Sequence, residues 1–297
     1  MTHFIAAIGL AAFSMLGCDL VRTRQPIATA NARSAGTGKE IIWLADDSPM
    51  AFVPAGSVEV EQVDPRLSKR KVETSAFYMD KYEVTSKRFA AFLNAMKAPA
   101  DNAWFDSDGA DIYLAGGLWG IKPGREEIPV EVTFDGALAY CKWAVKALPA
   151  WPEWLRAVRG DDGRRYPWGN KWDSSRCVCA ATCDRHRPGP APVGFYPSGA
   201  SAHGVHDLAG NVSEWVVLPP FLQYRDALEG HVVKALAGGG LYGDSSGDVG
   251  EIFDSLGSAI HTAHCSVCRY ATGFRCVVAA DCVVLTPQPT SRGEKPR

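Results

Sequence analysis

The sequence predicts a single loop-rich domain that combines three helices with a few short strands. Its 297 residues are 46% hydrophobic, which is enough to form a substantial core. Nine Trp and 29 Gly are many for this length and indicate irregular segments that are held in place by aromatic side chains. Gly, Pro, Ser and Asp dominate from about Tyr166 onward, so we expect regular structure to be sparse there.

Apolar periodicity and capping residues predict the three helices. The first begins at Thr85, a favourable N-cap, and the second begins near Thr133 and stops at Pro149. The third has Pro152 in its first turn and ends at Gly160. The apolar faces of the first two are Phe89, Phe92, Leu93 and Met96, and Phe134, Leu138, Cys141 and Val145. Short strands are expected at 50–53, 77–79 and 276–279.

The N-terminal segment has the features of an export signal. Residues 4–16 are an apolar stretch of signal-peptide length, and 14–18, Ser-Met-Leu-Gly-Cys, is similar to a bacterial lipobox in which Cys18 is lipidated. No Lys or Arg precedes the stretch and Met15 stands where Leu is usual, so export without a lipid and no export stay open. We expect a bacterial envelope protein, lipid-anchored or secreted, that meets the membrane only through the lipid.

Composition then divides the chain into four parts. Residues 1–18 are the signal peptide with its lipobox, 19–39 a polar flexible tether, 40–285 one folded domain, and 286–297 a disordered tail. The net charge is −2, with no long run of one sign, which gives no reason to expect nucleic acid as a partner.

The interpretation of the cysteines depends on whether the protein is exported or cytosolic. Besides Cys18, they are Cys141, Cys177, Cys179, Cys183, Cys265, Cys268, Cys276 and Cys282. This even number in an exported protein indicates disulfides, whereas the same clusters in a cytosolic protein would indicate a metal site. Sequence alone does not fix how the clustered cysteines pair.

A short motif two-thirds along the chain carries a family resemblance. Gly-Asn-Val-Ser-Glu-Trp at 210–215 resembles the Gly-Asn-Val-x-Glu-Trp signature of the formylglycine-generating enzyme (sulfatase-modifying factor) family. Other segments resemble that family in the same order: 50–56, 77–85, 129–154, 166–170, 239–240 and 272–276. The resemblance implies an α+β fold, a C-type-lectin-like variant with much irregular loop and little regular sheet.

The resemblance also implies a calcium site and a disulfide. Calcium would be held by Asp207, Gly210, Val212 and Glu214, through two carboxylates and two backbone carbonyls, which are the oxygen donors that the ion prefers. The alternative is that Asp207 and Glu214 only bond backbone N–H groups and cap turns. The family's second calcium site is not expected, since 174–179 lacks the Asn it uses. The family bridges the positions of Cys141 and Cys276.

The family's catalytic pattern is not matched. Its enzymes oxidise a substrate cysteine to formylglycine with oxygen and copper, which two cysteines five positions apart hold. Alignment on the glycine turn puts Gly243 and Asp248 at those positions, and neither binds copper(I), a soft ion that prefers thiolates. Ser213 also replaces the Trp before the motif's Glu. We therefore expect neither copper nor formylglycine formation.

Two functional hypotheses follow, and a purely structural envelope protein is a third possibility. The first is a non-catalytic module that binds a protein or glycan ligand through its loops. The second is an oxidoreductase of the formylglycine-generating type whose metal site is rebuilt from His261, His264, Cys265 and Cys268. The alternative for that loop is that Cys265 and Cys268 form disulfides with the cluster at 177–183.

Overall fold

The computed structural model describes residues 31–35, 39–60, 69–105, 110–179, 181–182, 189–219, 233–238, 253–254 and 272–286. Within these ranges, three α-helices and thirteen mostly short strands form the loop-rich α+β fold that the sequence predicts. The predicted signal peptide and most of the predicted tether and tail lie outside the described residues. Among the described helices, none has the length and apolar character needed to cross a membrane.

Helix α1 begins where the sequence predicts, and helix α3 has the predicted start and end. Helix α1, Ser86–Met96, is capped by Thr85, whose side chain accepts a hydrogen bond from the Arg88 amide at 3.4 Å. Helix α3, Trp151–Arg159, ends at Gly160, and all its side chains are buried. The Glu153 carboxylate caps its first turn by accepting from the Ala150 amide at 2.9 Å.

Helix α2, Phe134–Trp143, is shorter than predicted. Thr133 caps it as expected, but the helix ends six residues before Pro149. Val145 adopts a left-handed backbone with φ +55° and is half exposed, whereas its periodicity placed it on the buried face. The chain leaves the helix here because Ala147 forms a bridge with Val277, a contact too distant in sequence for a local pattern to reveal.

Most strands belong to two sheets, and the others form two hairpins. The strands are β1 Ala32–Ser34, β2 Glu40–Trp43, β3 Ser48–Val53, β4 Gly56–Val60, β5 Arg70–Thr74, β6 Phe77–Asp80, β7 Ile112–Ala115, β8 Leu118–Ile121, β9 Ser213–Leu218, β10 Val233–Ala237, β11 Phe253–Asp254, β12 Thr272–Gly273 and β13 Val277–Ala279. The hairpins are β4–β5 and β7–β8.

The first sheet is antiparallel, in the order β1-β2-β3-β6-β13. Strands β3, β6 and β13 confirm the three predicted strands to within two residues. Strand β1 corrects the predicted tether, because Ala32–Ser34 pairs with β2 and thus belongs to the folded domain. Its partner β2 begins at Glu40, so the predicted boundary at 39/40 falls within the sheet rather than before it.

The second sheet, in the order β11-β10-β9-β12, lies in the part of the chain where regular structure was expected to be sparse. Strand β9 pairs antiparallel with β10 and parallel with β12, and Glu214 is opposite Gly273 in that parallel pair. After β12 the chain passes through Phe274, Arg275 and Cys276 into β13 of the first sheet. Arg275 therefore lies where the chain crosses between the two sheets.

Candidate functional site

The signature motif forms a tight loop that leads into β9. Asp207 and Asn211 both have φ +58°, and Gly210 has φ +87°, so the loop makes repeated use of left-handed backbone. A side chain at Gly210 would collide with the Val178 carbonyl oxygen. The Asn211 amide donates to that same oxygen at 2.9 Å. Glycine is needed at position 210 because the loop packs directly on the segment around Val178.

Glu214 is fully buried and is paired with Arg275. The Arg275 Nε donates to Glu214 Oε2 at 2.7 Å, and Nη2 donates to Oε1 at 2.8 Å, which makes the contact bidentate. The Trp154 indole on α3 donates to Oε2 at 3.0 Å. Both carboxylate oxygens are thus occupied by protein donors.

The remaining N–H groups of Arg275 bind backbone carbonyls. Nη1 donates to Asp80 at 3.1 Å and to Lys81 at 3.3 Å, and Nη2 also donates to His206 at 2.9 Å. Burial lowers the pKa of Arg275, but the carboxyl groups of Glu214, Glu83 and Asp207 together raise it above its ordinary value, so the guanidinium is charged. Arg275 thereby joins the end of β6, the 206–214 loop and β9, and all five of its N–H groups are used.

Two further carboxyl groups lie close to this ion pair. Glu83 is fully buried; its Oε2 accepts from the Asn211 side chain at 3.0 Å, whereas its Oε1 has no hydrogen-bond partner. Burial, reinforced by Asp207, raises the pKa of Glu83 well above its ordinary value. Burial also raises the pKa of Asp207 to about 6, although its carboxylate accepts from the Gly194 amide at 2.6 Å. The cluster has more carboxyl groups than cations, which favours proton uptake.

The four predicted calcium ligands are close in sequence, but their arrangement does not fit the ion as it stands. Glu214 would have to exchange Arg275 for the cation, and a buried guanidinium beside calcium is electrostatically unfavourable. Among the described residues, no three His, Cys, Asp or Glu side chains are grouped so as to hold a metal. Calcium binding here stays a prediction, and no functional step is derived from it.

The predicted disulfide partners Cys141 and Cys276 are brought together. Their sulfur atoms lie 3.3 Å apart as thiols, in the core, where both residues are buried. Cys141 is on the inner face of α2, and Cys276 immediately precedes β13. Burial, followed by contact with Cys141, raises the pKa of Cys276 well above its ordinary value. The disulfide itself stays a prediction.

A buried charge cluster beside these cysteines was not predicted from the sequence. The Lys146 ammonium lies 2.7 Å from Asp46 and 2.8 Å from Asp80, with its side chain completely buried. Burial lowers the pKa of Lys146, but Asp80 and Asp46 raise it by more. Asp80 also accepts from the Cys276 amide at 3.0 Å. These partners are distant in sequence, and no local motif indicates them.

The other predicted site residues are only partly covered by the structure. Cys177 and Cys179 are described and buried. Two loop histidines, His203 and His206, are half-buried, and burial lowers the pKa of each. The other predicted site residues lie outside the described residues: Cys18, Cys183, Gly243, Asp248, His261, His264, Cys265 and Cys268.

Comparison with known proteins agrees with the fold and the motif. Residues 45–280 match the sulfatase-modifying factor enzyme 1-like domain. The formylglycine-generating enzyme of Bos taurus is 29% identical over 214 residues, which cover 56% of this chain and 56% of that protein. The hercynine oxygenase of Mycolicibacterium smegmatis is 29% identical over 222 residues, 68% of this chain and 50% of that protein. The chain thus spans about half the length of these curated relatives.

Two solved structures share the fold. PvdO from Pseudomonas aeruginosa superposes with a TM-score of 0.55 at 18% identity, covering 78% of this chain and 94% of that chain. CarF superposes with a TM-score of 0.51 at 16% identity, covering 77% and 97%. The likeness at this level of identity concerns the fold alone. The domain match over most of the chain shows that this protein belongs to the sulfatase-modifying factor enzyme 1-like domain family.

Proposed function

We propose that this protein is an exported, lipid-anchored binding module of its family, and that it does not generate formylglycine. The observation that carries the proposal is the pair of residues at the expected copper positions, Gly243 and Asp248. Glycine has no side chain, and a carboxylate is a hard oxygen donor, so neither replaces a thiolate as a ligand of copper(I).

The described residues of the site support a structural use of the motif. Glu214 is buried and binds Arg275 and Trp154, so it does not face a substrate. Cys141 and Cys276 are 2% and 0% exposed, which keeps their thiols from a soluble peptide. The side chains that carry the family resemblance therefore hold the two sheets together.

The binding role is supported by aromatic side chains that the scaffold leaves on its surface. Phe195 is 59% exposed and packs edge-on against Tyr196 at 5.2 Å. The adjacent Gly194 is held by Asp207 and abuts the Tyr82 ring. An exposed phenylalanine ring beside a half-buried tyrosine, on a fixed loop, provides a contact surface for a protein or a glycan.

The second hypothesis is an oxidoreductase with a rebuilt metal site at 261–268. The hercynine oxygenase relative is named as an oxygenase, and the family therefore extends beyond formylglycine formation. Bound copper that is lost on Cys265→Ser would favour this hypothesis over the binding module.

A peptide assay tests the proposal. We expect the purified protein, supplied with copper and oxygen, to leave a Cys-x-Pro-x-Arg peptide unmodified in a mass spectrum, while a formylglycine-generating enzyme converts it in parallel. Conversion above a no-enzyme control, abolished by Cys265→Ser or Cys268→Ser, would replace the proposal with the oxidoreductase.

Anchoring and binding are tested separately. Expressed in a bacterial host with lipoprotein processing, the protein should partition into membranes with a lipidated Cys18, and Cys18→Ser should release it. Envelope extracts and glycan arrays probed with the protein and with Phe195→Ala should show a ligand that the variant loses. Retention of Cys18→Ser in membranes would contradict anchoring, and a ligand bound equally by Phe195→Ala would contradict the proposed surface.

A further inference from the structure

The turn of the β7–β8 hairpin fixes its hydrogen-bonding pattern. Residues 116–117, both glycine, have φ +59° and +81°, as a two-residue type I′ turn requires. Ala115 and Leu118 pair across the turn, and in such a hairpin this pair exchanges two backbone hydrogen bonds. The pattern alternates along an antiparallel ladder. The backbone groups of Leu114 and Trp119, the next pair, therefore point outward, away from the partner strand.

The outer edge of β8 is closed by a side chain. The Trp119 amide donates to Asn94 Oδ1 at 2.8 Å, and the Asn94 side-chain amide donates to the Trp119 carbonyl at 2.9 Å. Asn94 lies on α1, so a helix supplies the two hydrogen bonds that a third strand would otherwise make. The Trp119 ring is buried, and its indole donates to the Ala98 carbonyl at 2.9 Å. No strand can be added on this side of the hairpin.

The outer edge of β7 is open. In the part of the chain that the structure describes, no strand pairs with this edge, and no group bonds the outward amide or carbonyl of Ile112 or Leu114. Tyr113, Leu114 and Ala115 are exposed, and the Tyr113 ring lies across Gly120 on its own hairpin. The strand contains neither a charged residue nor proline, which are the residues that commonly protect an exposed edge. An apolar edge of this kind is a template for another strand.

We propose that β7 pairs antiparallel with β7 of a second copy of this chain, about a two-fold axis at Tyr113. In this register the two Tyr113 residues are directly opposite each other as a non-hydrogen-bonded pair, and Leu114 of each copy is opposite Ile112 of the other. The outward backbone groups of Ile112 and Leu114 then exchange four hydrogen bonds across the axis. The two hairpins join into one sheet with the strand order β8-β7-β7-β8.

Closure and charge favour a second copy as the occupant of this edge. Asn94 blocks β8, so pairing through β7 ends at two copies and does not grow into a fibre. Residues 112–115 carry no charge, and the nearest one, Asp111, is paired within its own chain with Arg125 at 2.7 Å. No like charges therefore meet at the axis. A contact between single short strands falls below the roughly 1,200 Å² of a stable interface, so we expect a weak dimer.

Crosslinking tests the register in the full chain carrying Cys18→Ser, which cannot be lipidated. At a non-hydrogen-bonded antiparallel position the Cα atoms lie about 4.5 Å apart, within the range that disulfides span. Under mild oxidation, Tyr113→Cys should therefore give a disulfide-linked dimer. Ala115→Cys is the matched control: it is exposed on the same strand and face, but it lies about 14 Å from its copy in this register. It should give no more dimer than the parent protein.

Sedimentation equilibrium measures the association itself. The mass of the Cys18→Ser protein should rise towards twice the monomer mass as its concentration approaches about 0.5 mM. Leu114→Pro removes one outward N–H from each copy at a position where the hairpin does not use it, and Leu114→Ala removes only the side chain. The proline variant should dissociate at least about tenfold more readily than the alanine variant. If it melts early, Tyr113→Lys serves instead, because it places two ammonium groups opposite each other at the axis.

Three outcomes would overturn the proposal. The first is a monomer mass at every concentration, which is also the result expected if another part of the same chain covers the edge. The second is an equal yield of crosslinked dimer from Tyr113→Cys and Ala115→Cys, because the register would then be wrong. The third is a dimer that neither Leu114→Pro nor Tyr113→Lys weakens, because the copies would then meet through a different surface.

Discussion

Replacing Arg275 by Met should lower the free energy of unfolding by about 5 kcal/mol. The substitution leaves Glu214 as a buried carboxylate without its cation, and removal of one partner from a buried pair costs about 3–5 kcal/mol. The carbonyls of Asp80, Lys81 and His206 lose their donor as well, at about 1 kcal/mol each. These contributions overlap, because the cost of breaking a buried pair already includes hydrogen bonds that are lost with it, so we expect a total of about 5 kcal/mol and not the full sum.

A double-mutant cycle isolates the ion pair from the carbonyl contacts. Glu214→Gln removes the charge while keeping a side chain that accepts from Trp154. If the pair carries the energy, the double variant Glu214→Gln/Arg275→Met should be more stable than the sum of the single effects predicts, by about 2–3 kcal/mol. Methionine occupies most of the volume of the arginine side chain, so the cavity that the substitution leaves contributes little to the loss in free energy of unfolding.

The assay is urea unfolding followed by tryptophan fluorescence, for which the chain provides nine Trp. Arg33→Met is the matched control, since Arg33 pairs with Asp47 at 3.2 Å on the surface, with side-chain exposures of 52% and 81%. We expect a change within about 0.5 kcal/mol there. A loss below about 1.5 kcal/mol for Arg275→Met, or additive single effects in the cycle, would refute the reasoning.

Two further predictions concern the neighbouring groups. Because the pKa of Asp207 is raised from 3.8 to about 6, its charged form is disfavoured in the folded protein, and the resulting penalty is absent at low pH and complete above about pH 6. In the presence of a chelator at pH 7.5, Asp207→Asn should therefore increase the free energy of unfolding by up to about 3 kcal/mol and raise the melting temperature, whereas at pH 4 it should change neither. If calcium instead raises the melting temperature of the parent protein, and Asp207→Asn abolishes that increase, the predicted ion is bound. Peptide mapping of the exported protein should recover Cys141 joined to Cys276, and Cys141→Ser should cost about 4–5 kcal/mol, whereas alkylation of either thiol in the native protein would contradict the bridge.

Sequence reasoning was most successful where the signal is local. The Thr85 and Thr133 caps, and Gly160 at the end of α3, fix helix ends through contacts within four residues, and all three are observed. The end of α2 was wrong because it is decided by Val277, which lies far along the chain. The second sheet was missed for a related reason: strand β9 follows a loop with the composition of irregular structure, and its partners come from distant segments.

The site shows the same division. The motif singled out Asp207 and Glu214, and the structure places Asp207 in the loop and Glu214 in the strand that follows it. The buried ion pairs were not indicated by the sequence, because their members lie far apart along the chain. The two Lys146 pairs span 66 and 100 residues, and the Glu214–Arg275 pair spans 61. The sequence around a single charged residue does not show whether a carboxylate, a metal ion or solvent contacts it. Its charge state therefore follows only from the three-dimensional contacts.

The contacts of the motif explain why its presence predicts the architecture better than the chemistry. Its residues meet the rest of the fold one by one: Gly210 with the Val178 carbonyl, Asn211 with Glu83, Glu214 with Arg275, and Trp215 with the Val132 carbonyl at 2.9 Å. Each contact joins the motif to a distant segment of the chain, so these residues stabilise the fold whether or not a substrate is ever bound. Positions 243 and 248, where the resemblance places the family's copper ligands, lie outside the described residues. The contacts named above involve neither position, so the motif predicts the fold without predicting whether copper binds.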